Sequence, residues 1–330
     1  MTNNLNFIWI DDSTEREKDS ENLKAHFDSI SVPITMQFVL LDNTKVVDEE
    51  INKILENTEP DLIILDHSLT KSNSTTYKTG SLVANYIHEK WPGCPIISCT
   101  AVNLADFDLR TGKAYENIFE SNRISSHYDT ILAIANGFKS LKSQQSQPDD
   151  LFLNSLSVPE ADLLKVKKVI PSEFLQQVND NGLYSDWYKW CNSVLFSRPG
   201  FLYDMKHTAT LLGLTLEGFQ TIKHRFCGAL YTGIFSTESN PRWWKSQVLN
   251  ILSEITEEIN TPWILGRKLT DNTTFYSKCY SSGEDFPEVL AAVDTSENTE
   301  WHPMKLKHTI AHPNFDNLIF FDEIRLMLSE

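Results

Sequence analysis

Five short apolar runs, "FIWI", "ITMQFVLL", "LIIL", "PIISC" and "ENIF", alternate with amphipathic stretches over the first part of the chain. Helices are predicted between and after them, from about Ser13 to Phe27, near Val47 to Leu55, from Gly80 to Trp91 and near Tyr128 to Leu141. "LIIL" and "PIIS" are apolar without alternation, which is what strands covered by helices on both faces require. Leu82, Val83, Tyr86 and Ile87 recur at helical spacing, as do Ile131, Leu132, Ala135 and Phe138. The first half therefore reads as a doubly wound parallel sheet built from five βα units.

With 330 residues the chain is long for one domain, so two are expected. The boundary is placed in "KSQQSQPDD", a polar, glutamine-rich stretch without apolar periodicity. This gives a first domain over 1–142, a linker over 143–150 and a second domain over 151–330. The second domain reads as mainly helical: "WYKWCNSVLF", "LYDMKHTATLLGL", "LEGFQTIKHRF" and "NPRWWKSQVLNILSEITEEI", the last with Asn240 as cap and Pro241 in the first turn. "TTFYSKCY" reads as a short strand and "FDEIRLML" as a terminal helix.

The formal charge of −16 repels polyphosphate and anionic lipid, which argues against broad nucleic-acid or membrane coating. No run of some twenty apolar residues and no secretion signal is apparent, so a cytoplasmic protein is expected. Five cysteines without CxxC spacing make neither a disulfide framework nor a zinc cluster. Cys94, Cys99, Cys191 and Cys227 lie in apolar surroundings and are expected to be buried, reduced thiols.

The chemistry gathers at strand ends. Open parallel sheets bind ligands at the carboxyl ends of their strands, where strand order reverses. Asp11 and Asp12 follow "FIWI", and Asp66 follows "LIIL"; with the third strand beside the first, the three carboxylates converge. Such a cluster suits a hard divalent cation, magnesium above all. "SCTA" brings the Thr100 hydroxyl to the same rim.

On these residues, residues 5–142 resemble the receiver domain of the two-component response regulators. The matching pieces are the acid pair after the first strand, the "LD" closing the third, Gly80 opening the next helix and the "TA" closing the fourth. The resemblance implies a flavodoxin-like (βα)5 fold, with magnesium held by Asp11, Asp12 and Asp66. It further implies Asp66 as phosphoacceptor and Thr100 as the hydroxyl that turns to the new phosphate. Implied partners are a histidine kinase or phosphotransfer protein, other proteins downstream, and a second copy of the chain. No GxSxG, P-loop or paired-acid hydrolase pattern appears, so no enzymatic activity is expected beyond self-phosphotransfer onto Asp66.

Three departures from the receiver pattern stand out. Where a lysine ordinarily closes the fifth strand, "NIFESNRI" offers Glu120 and Ser121, with Arg123 and Lys113 as candidates to replace the cation. The loop "HSLTKSNSTTYKTG" is long, and "VNLADFDLRTGKAYE" is a weak fourth helix. Together they leave room for a pseudo-receiver that signals by binding.

The second domain offers weaker patterns. "ATLLGLTLEGFQTIKHR" resembles a helix-turn-helix, with Gly213 at the turn and Lys223, His224 and Arg225 suited to phosphates, Lys223 and Arg225 being the nucleic-acid candidates. Arg198, Lys206, Arg242 and Lys245 add positive charge nearby. Against DNA stand 22 acidic and 16 basic residues from Leu151 onward and the presence of Gly218 in the second helix. A DNA-binding regulator thus remains one alternative and an unphosphorylated subunit of a larger assembly another. His302, His308 and His312 lack the glutamate of a HExxH site and are expected to be surface or capped histidines rather than zinc ligands. His207 is expected to serve packing rather than phosphorelay, and Trp187, Trp190, Trp243 and Trp244 to pack in the core.

Overall fold

The computed structural model describes residues 4–42, 44, 46–57, 59–72, 78–102, 112–144, 150–175, 182–197, 199–258, 260–285, 290–294 and 301–305, with the backbone alone for 290–294 and 301. They form two compact units, Met1–Ser155 with Ser172–Lys189, and Leu156–Pro171 with Trp190–Glu330.

The first unit is built on five strands: β1 (Leu5–Asp11), β2 (Ile34–Leu40), β3 (Leu62–Leu65), β4 (Ile96–Thr100) and β5 (Asn117–Glu120). All pair in parallel, in the order β2-β1-β3-β4-β5, which is the flavodoxin-like doubly wound arrangement. Helices α1 (Glu15–Ser29), α2 (Val47–Leu55) and α3 (Gly80–Lys90) supply the crossovers from β1 to β4, and with α4 (Tyr128–Gln144), which follows β5, they cover both faces. Burial follows: β3 and β4 are buried at every position, whereas β2, at the sheet edge, alternates. On one face Ile8, Ile10, Ile63 and Leu65 meet Val47, Ile51 and Ile54 of α2 and Val83, Ala84 and Ile87 of α3. On the other, Phe7 meets Phe27 of α1 edge-on, with ring centroids 6.1 Å apart, and Phe27 lies 6.0 Å from Tyr128 of α4.

Residues beyond the expected 143–150 linker also belong to this unit; of the linker itself, 145–149 lie outside the described residues. Phe152, Phe174 and Trp187 form an aromatic cluster with centroids 5.1–5.3 Å apart, and Tyr184 reaches Phe138 of α4 at 6.5 Å. Burying Trp187 completely is what draws the stretch from Ser172 to Lys189 onto the sheet unit.

The second unit holds helices over Glu160–Val169, Met205–Leu211, Leu216–Ile222, Lys245–Thr256 and Pro262–Arg267 and two small antiparallel ladders. Its core includes Leu212, Leu214, Phe219, Phe226, Trp243, Val248 and Leu252. The helix predicted from Asn240 starts at Lys245 instead. Trp243 and Trp244 pair with Tyr203 and Leu202, so their backbone groups join a ladder rather than a first helical turn. Within "TTFYSKCY", Thr273–Phe275 is a 3-10 turn and Tyr276 makes a single bridge to Leu214. The terminal helix "FDEIRLML" lies outside the described residues. Cys94, Cys99, Cys191 and Cys279 are buried thiols, but Cys227 is exposed, because its 3-10 turn buries Phe226 and Ala229 instead. Among the described residues no helix is long and apolar enough to cross a membrane.

Candidate functional site

Register brings the acids together. Ile10 of β1 faces Leu65 of β3, so the next residues along, Asp11 and Asp66, leave adjacent strands side by side. The sheet grows leftward from β1 to β2 and rightward from β1 to β3, which makes this the point of reversal where a crevice opens. Oxygens of Asp11, Asp12 and Asp66 lie within 4.8 Å of one another. Asp11 and Asp12 are buried, and Asp66 is half-buried.

Local backbone fixes each carboxylate. The Ser13 amide donates to Asp11 Oδ1 at 2.9 Å, folding the chain back at the mouth of α1. The Lys71 amide donates to Asp12 Oδ2 at 2.7 Å, tying the loop after β3 to the end of β1. That loop is closed at its base by the Ser68–Thr79 bridge and by the Leu69 amide on the Lys78 carbonyl at 3.1 Å; residues 73–77 lie outside the described set. Gly80 opens α3 directly against Asp66, and a Cβ there would sit 2.1 Å from the Asp66 carbonyl oxygen and 2.8 Å from the Tyr115 hydroxyl. Glycine is required at this position by close approach.

Electrostatics mark the cluster as short of positive charge. Burial pushes the Asp66 carboxyl up to about 7, and the neighbouring Asp11 charge adds to it. Burial likewise pushes Asp11 up to about 6, with the Asp12 charge adding while the Ser13 amide and Arg16 offset part of the rise. Three hard oxygen donors around uncompensated charge fit a magnesium-sized cation, and among the described residues no soft ligand joins the cluster.

Thr100, buried at the end of β4, accepts the Val102 amide at 3.1 Å and faces Glu120 across the ladder. Neither cation suggested by sequence occupies the end of β5. Arg123 turns outward, its side chain 73% exposed, and pairs with Glu120 at 3.4 Å. Lys113 is exposed and precedes Asn117, at the opposite end of the strand from the acids. A second basic side chain reaches the segment just past β5 from another element, Arg16 of α1. Its Nη2 donates to Ser121 Oγ and its Nη1 to Asp19, each at 2.8 Å. The only sequence signal for it is a basic residue four positions after Asp12. The segment with the weak fourth-helix pattern lies largely outside the described residues, at 103–111.

No protein-family model and no curated protein matches the chain. Among solved structures it is similar to the response regulator protein TrrA from Thermotoga maritima, in complex with Mg2+-BeF. That likeness has 20% identity and a TM-score of 0.29 and covers 39% of this chain and 98% of that one.

The remaining sequence-predicted residues are scattered. Met205–Leu211 and Leu216–Ile222 do form two short helices around Gly213 in a left-handed turn at φ 66°, and Lys223, His224 and Arg225 are exposed just beyond. Gly218, however, is seated on Phe275, where a Cβ would lie 2.7 Å from the phenylalanine Cβ. The face of the second helix that carries Gly218 and Phe219 is thus packed against its own unit, while Leu216, Glu217 and Gln220 are exposed. Arg242 lies over the Phe196 ring at 5.6 Å and Lys245 over Tyr203 at 5.3 Å, contacts that use their charge within the unit. Arg198 lies outside the described residues. His302 stacks on Tyr280 with centroids 4.2 Å apart; His308 and His312 lie outside the described residues. His207 is buried, with Nδ1 2.8 Å from Asp204. Trp187, Trp243 and Trp244 are core residues, and Trp190 is half-buried.

Proposed function

We propose that this protein is a receiver-type signalling protein in which Asp66 accepts a phosphoryl group within a magnesium-binding acid pocket. The observation that supports the reading is the convergence of Asp11, Asp12 and Asp66 at the switch point of a β2-β1-β3-β4-β5 sheet. Asp11 and Asp12 would hold the cation together with Asp66. When bound, magnesium supplies charge neutralisation for the transferring phosphoryl group.

An Asp66 carboxylate oxygen attacks the phosphorus of a phosphohistidine on a kinase or phosphotransfer protein. A P–O bond forms, the P–N bond breaks, and the imidazole departs with the bond's electron pair and takes up a proton. Burial of Asp11 and Asp12 keeps their charges from being screened by water. The Thr100 hydroxyl, one position beyond the residue level with Asp66, would donate to the acyl phosphate. The second unit conveys output to a protein partner, a reading supported by its excess of acidic over basic residues, which disfavours DNA.

The test is incubation with acetyl phosphate and magnesium, followed by intact-mass analysis. A phosphoryl adduct is expected in the unsubstituted protein and absent in Asp66→Asn. An adduct that survives this substitution, or none under any condition, overturns the acceptor role. A magnesium-dependent change without an adduct would favour a pseudo-receiver that signals by binding.

A further inference from the structure

A phosphoryl group arriving on Asp66 adds negative charge to a pocket already crowded with carboxylates, and neither Glu120 nor Arg123 offers a cation at the end of β5. We propose that Arg16 is the phosphoryl-binding cation of this pocket, aimed from the first turn of α1 by Ser121 and Asp19. The inference rests on the reading of Asp66 as phosphoacceptor.

The geometry carries it. Arg16 begins four residues after Asp12, on α1, while Ser121 follows the last residue of β5. In the strand order, β3 and β4 lie between β1 and β5, so the bond from Arg16 to Ser121 links the segments that follow β1 and β5, on either side of the strands that carry Asp66 and Thr100. Both Asp11 and Cys99, the latter next to Thr100, lie close enough to interact electrostatically with the guanidinium. The side chain is 28% exposed, largely but not wholly withdrawn from solvent, which suits a group that must stay ordered and still meet an incoming ligand.

The chemistry of the side chain fits. A guanidinium carries five N–H donors, and the bonds to Asp19 and Ser121 engage one each on Nη1 and Nη2. The others remain to meet phosphate oxygens, for which the planar fork is suited. Asp19 and Ser121 fix the plane, so little side-chain freedom is left to lose on binding. Unlike a lysine on β5, this cation would tie the phosphorylated pocket to α1.

Beryllofluoride with magnesium tests the inference by isothermal titration, with magnesium alone titrated first. Arg16→Gln is expected to bind magnesium within about two-fold of the unsubstituted protein but beryllofluoride about 10- to 100-fold more weakly, the scale of a lost charge-assisted contact. Arg16→Lys should recover part of that loss, and Ser121→Ala should show a smaller one of the same kind. Because a purely structural arginine would lower the melting temperature without touching the beryllofluoride step, melts of each variant are run alongside. Beryllofluoride affinity unchanged in both Arg16→Gln and Arg16→Lys overturns this inference alone. No beryllofluoride binding in the unsubstituted protein overturns the Asp66 reading and this inference together.

Discussion

The Asp66 amide donates to the Ile10 carbonyl at 3.0 Å, carrying the β1–β3 ladder past its last paired position and setting Asp66 beside Asp11. Two carboxylates are thereby held where their charges repel, and burial sharpens the repulsion.

A pH dependence of unusual sign results. Asp66 at about 7 and Asp11 at about 6 both stand above the unfolded value near 4. Between those limits the folded chain holds protons that the unfolded chain has released, so stability falls as pH rises from about 4 to about 7. Asp66→Asn removes most of that slope and should stabilise the metal-free protein by about 1–3 kcal/mol at pH 8, with little effect at pH 4. Magnesium should flatten the same slope, and its removal by chelation should restore it, since cation binding displaces the protons. Urea unfolding across pH, with magnesium and with chelator, measures this; a slope indifferent to both Asp66→Asn and magnesium would contradict the pocket's electrostatics.

Gly80 yields a second expectation. Its approach to the Asp66 carbonyl leaves no room for a Cβ, and its amide is held by the His67 carbonyl at 2.7 Å, so the backbone cannot withdraw without losing that bond. Gly80→Ala should cost about 1–3 kcal/mol through overpacking. It should also weaken magnesium binding, because the displaced atoms belong to the residue that carries the pocket's third carboxylate. Denaturant melts together with magnesium titration check both parts.

How far the sequence discloses this arrangement depends on whether partners share an element. The apolar runs of β1, β3 and β4 are legible because burial on both faces favours unbroken apolar stretches, and the acids and Thr100 are legible because they close or directly follow those runs. Arg16 and Ser121 are not, because their meeting depends on how α1 and β5 sit about the sheet, and they lie 105 residues apart in sequence. Trp243 and Trp244 illustrate the complementary failure. A proline and a cap-like asparagine before an amphipathic run satisfy a helix-start pattern, yet the ladder to Leu202 and Tyr203 takes the same backbone groups. The helix over Leu183–Trp190 overlaps the expected "WYKWCNSVLF" helix only at Trp187–Trp190, and its aromatic face carries no mark of which core it joins.

In the second unit Asp204 gives a slope of the opposite sign. It caps the helix over Met205–Leu211 by accepting the His207 amide at 2.8 Å, and its Oδ1 also lies 2.8 Å from the His207 ring Nδ1. Burial alone would raise this carboxyl, but the hydrogen bonds and charge from His207 outweigh it and hold the group below its ordinary range. The native carboxylate therefore stays ionised to lower pH than the unfolded one, so its contribution is present above about pH 4 and is lost as pH falls through the native value. Asp204→Ala should cost about 1–2 kcal/mol at pH 7, as for a lost helix cap, and less at pH 3. Asp204→Asn, which keeps the cap oxygen, should cost less than alanine at pH 7. Because the Asp66 slope has the other sign and falls in a higher pH range, unfolding followed at pH 3, 5 and 8 separates the two carboxylates within one chain. A penalty for Asp204→Ala that is as large at pH 3 as at pH 7 would show that the cap acts without its charge.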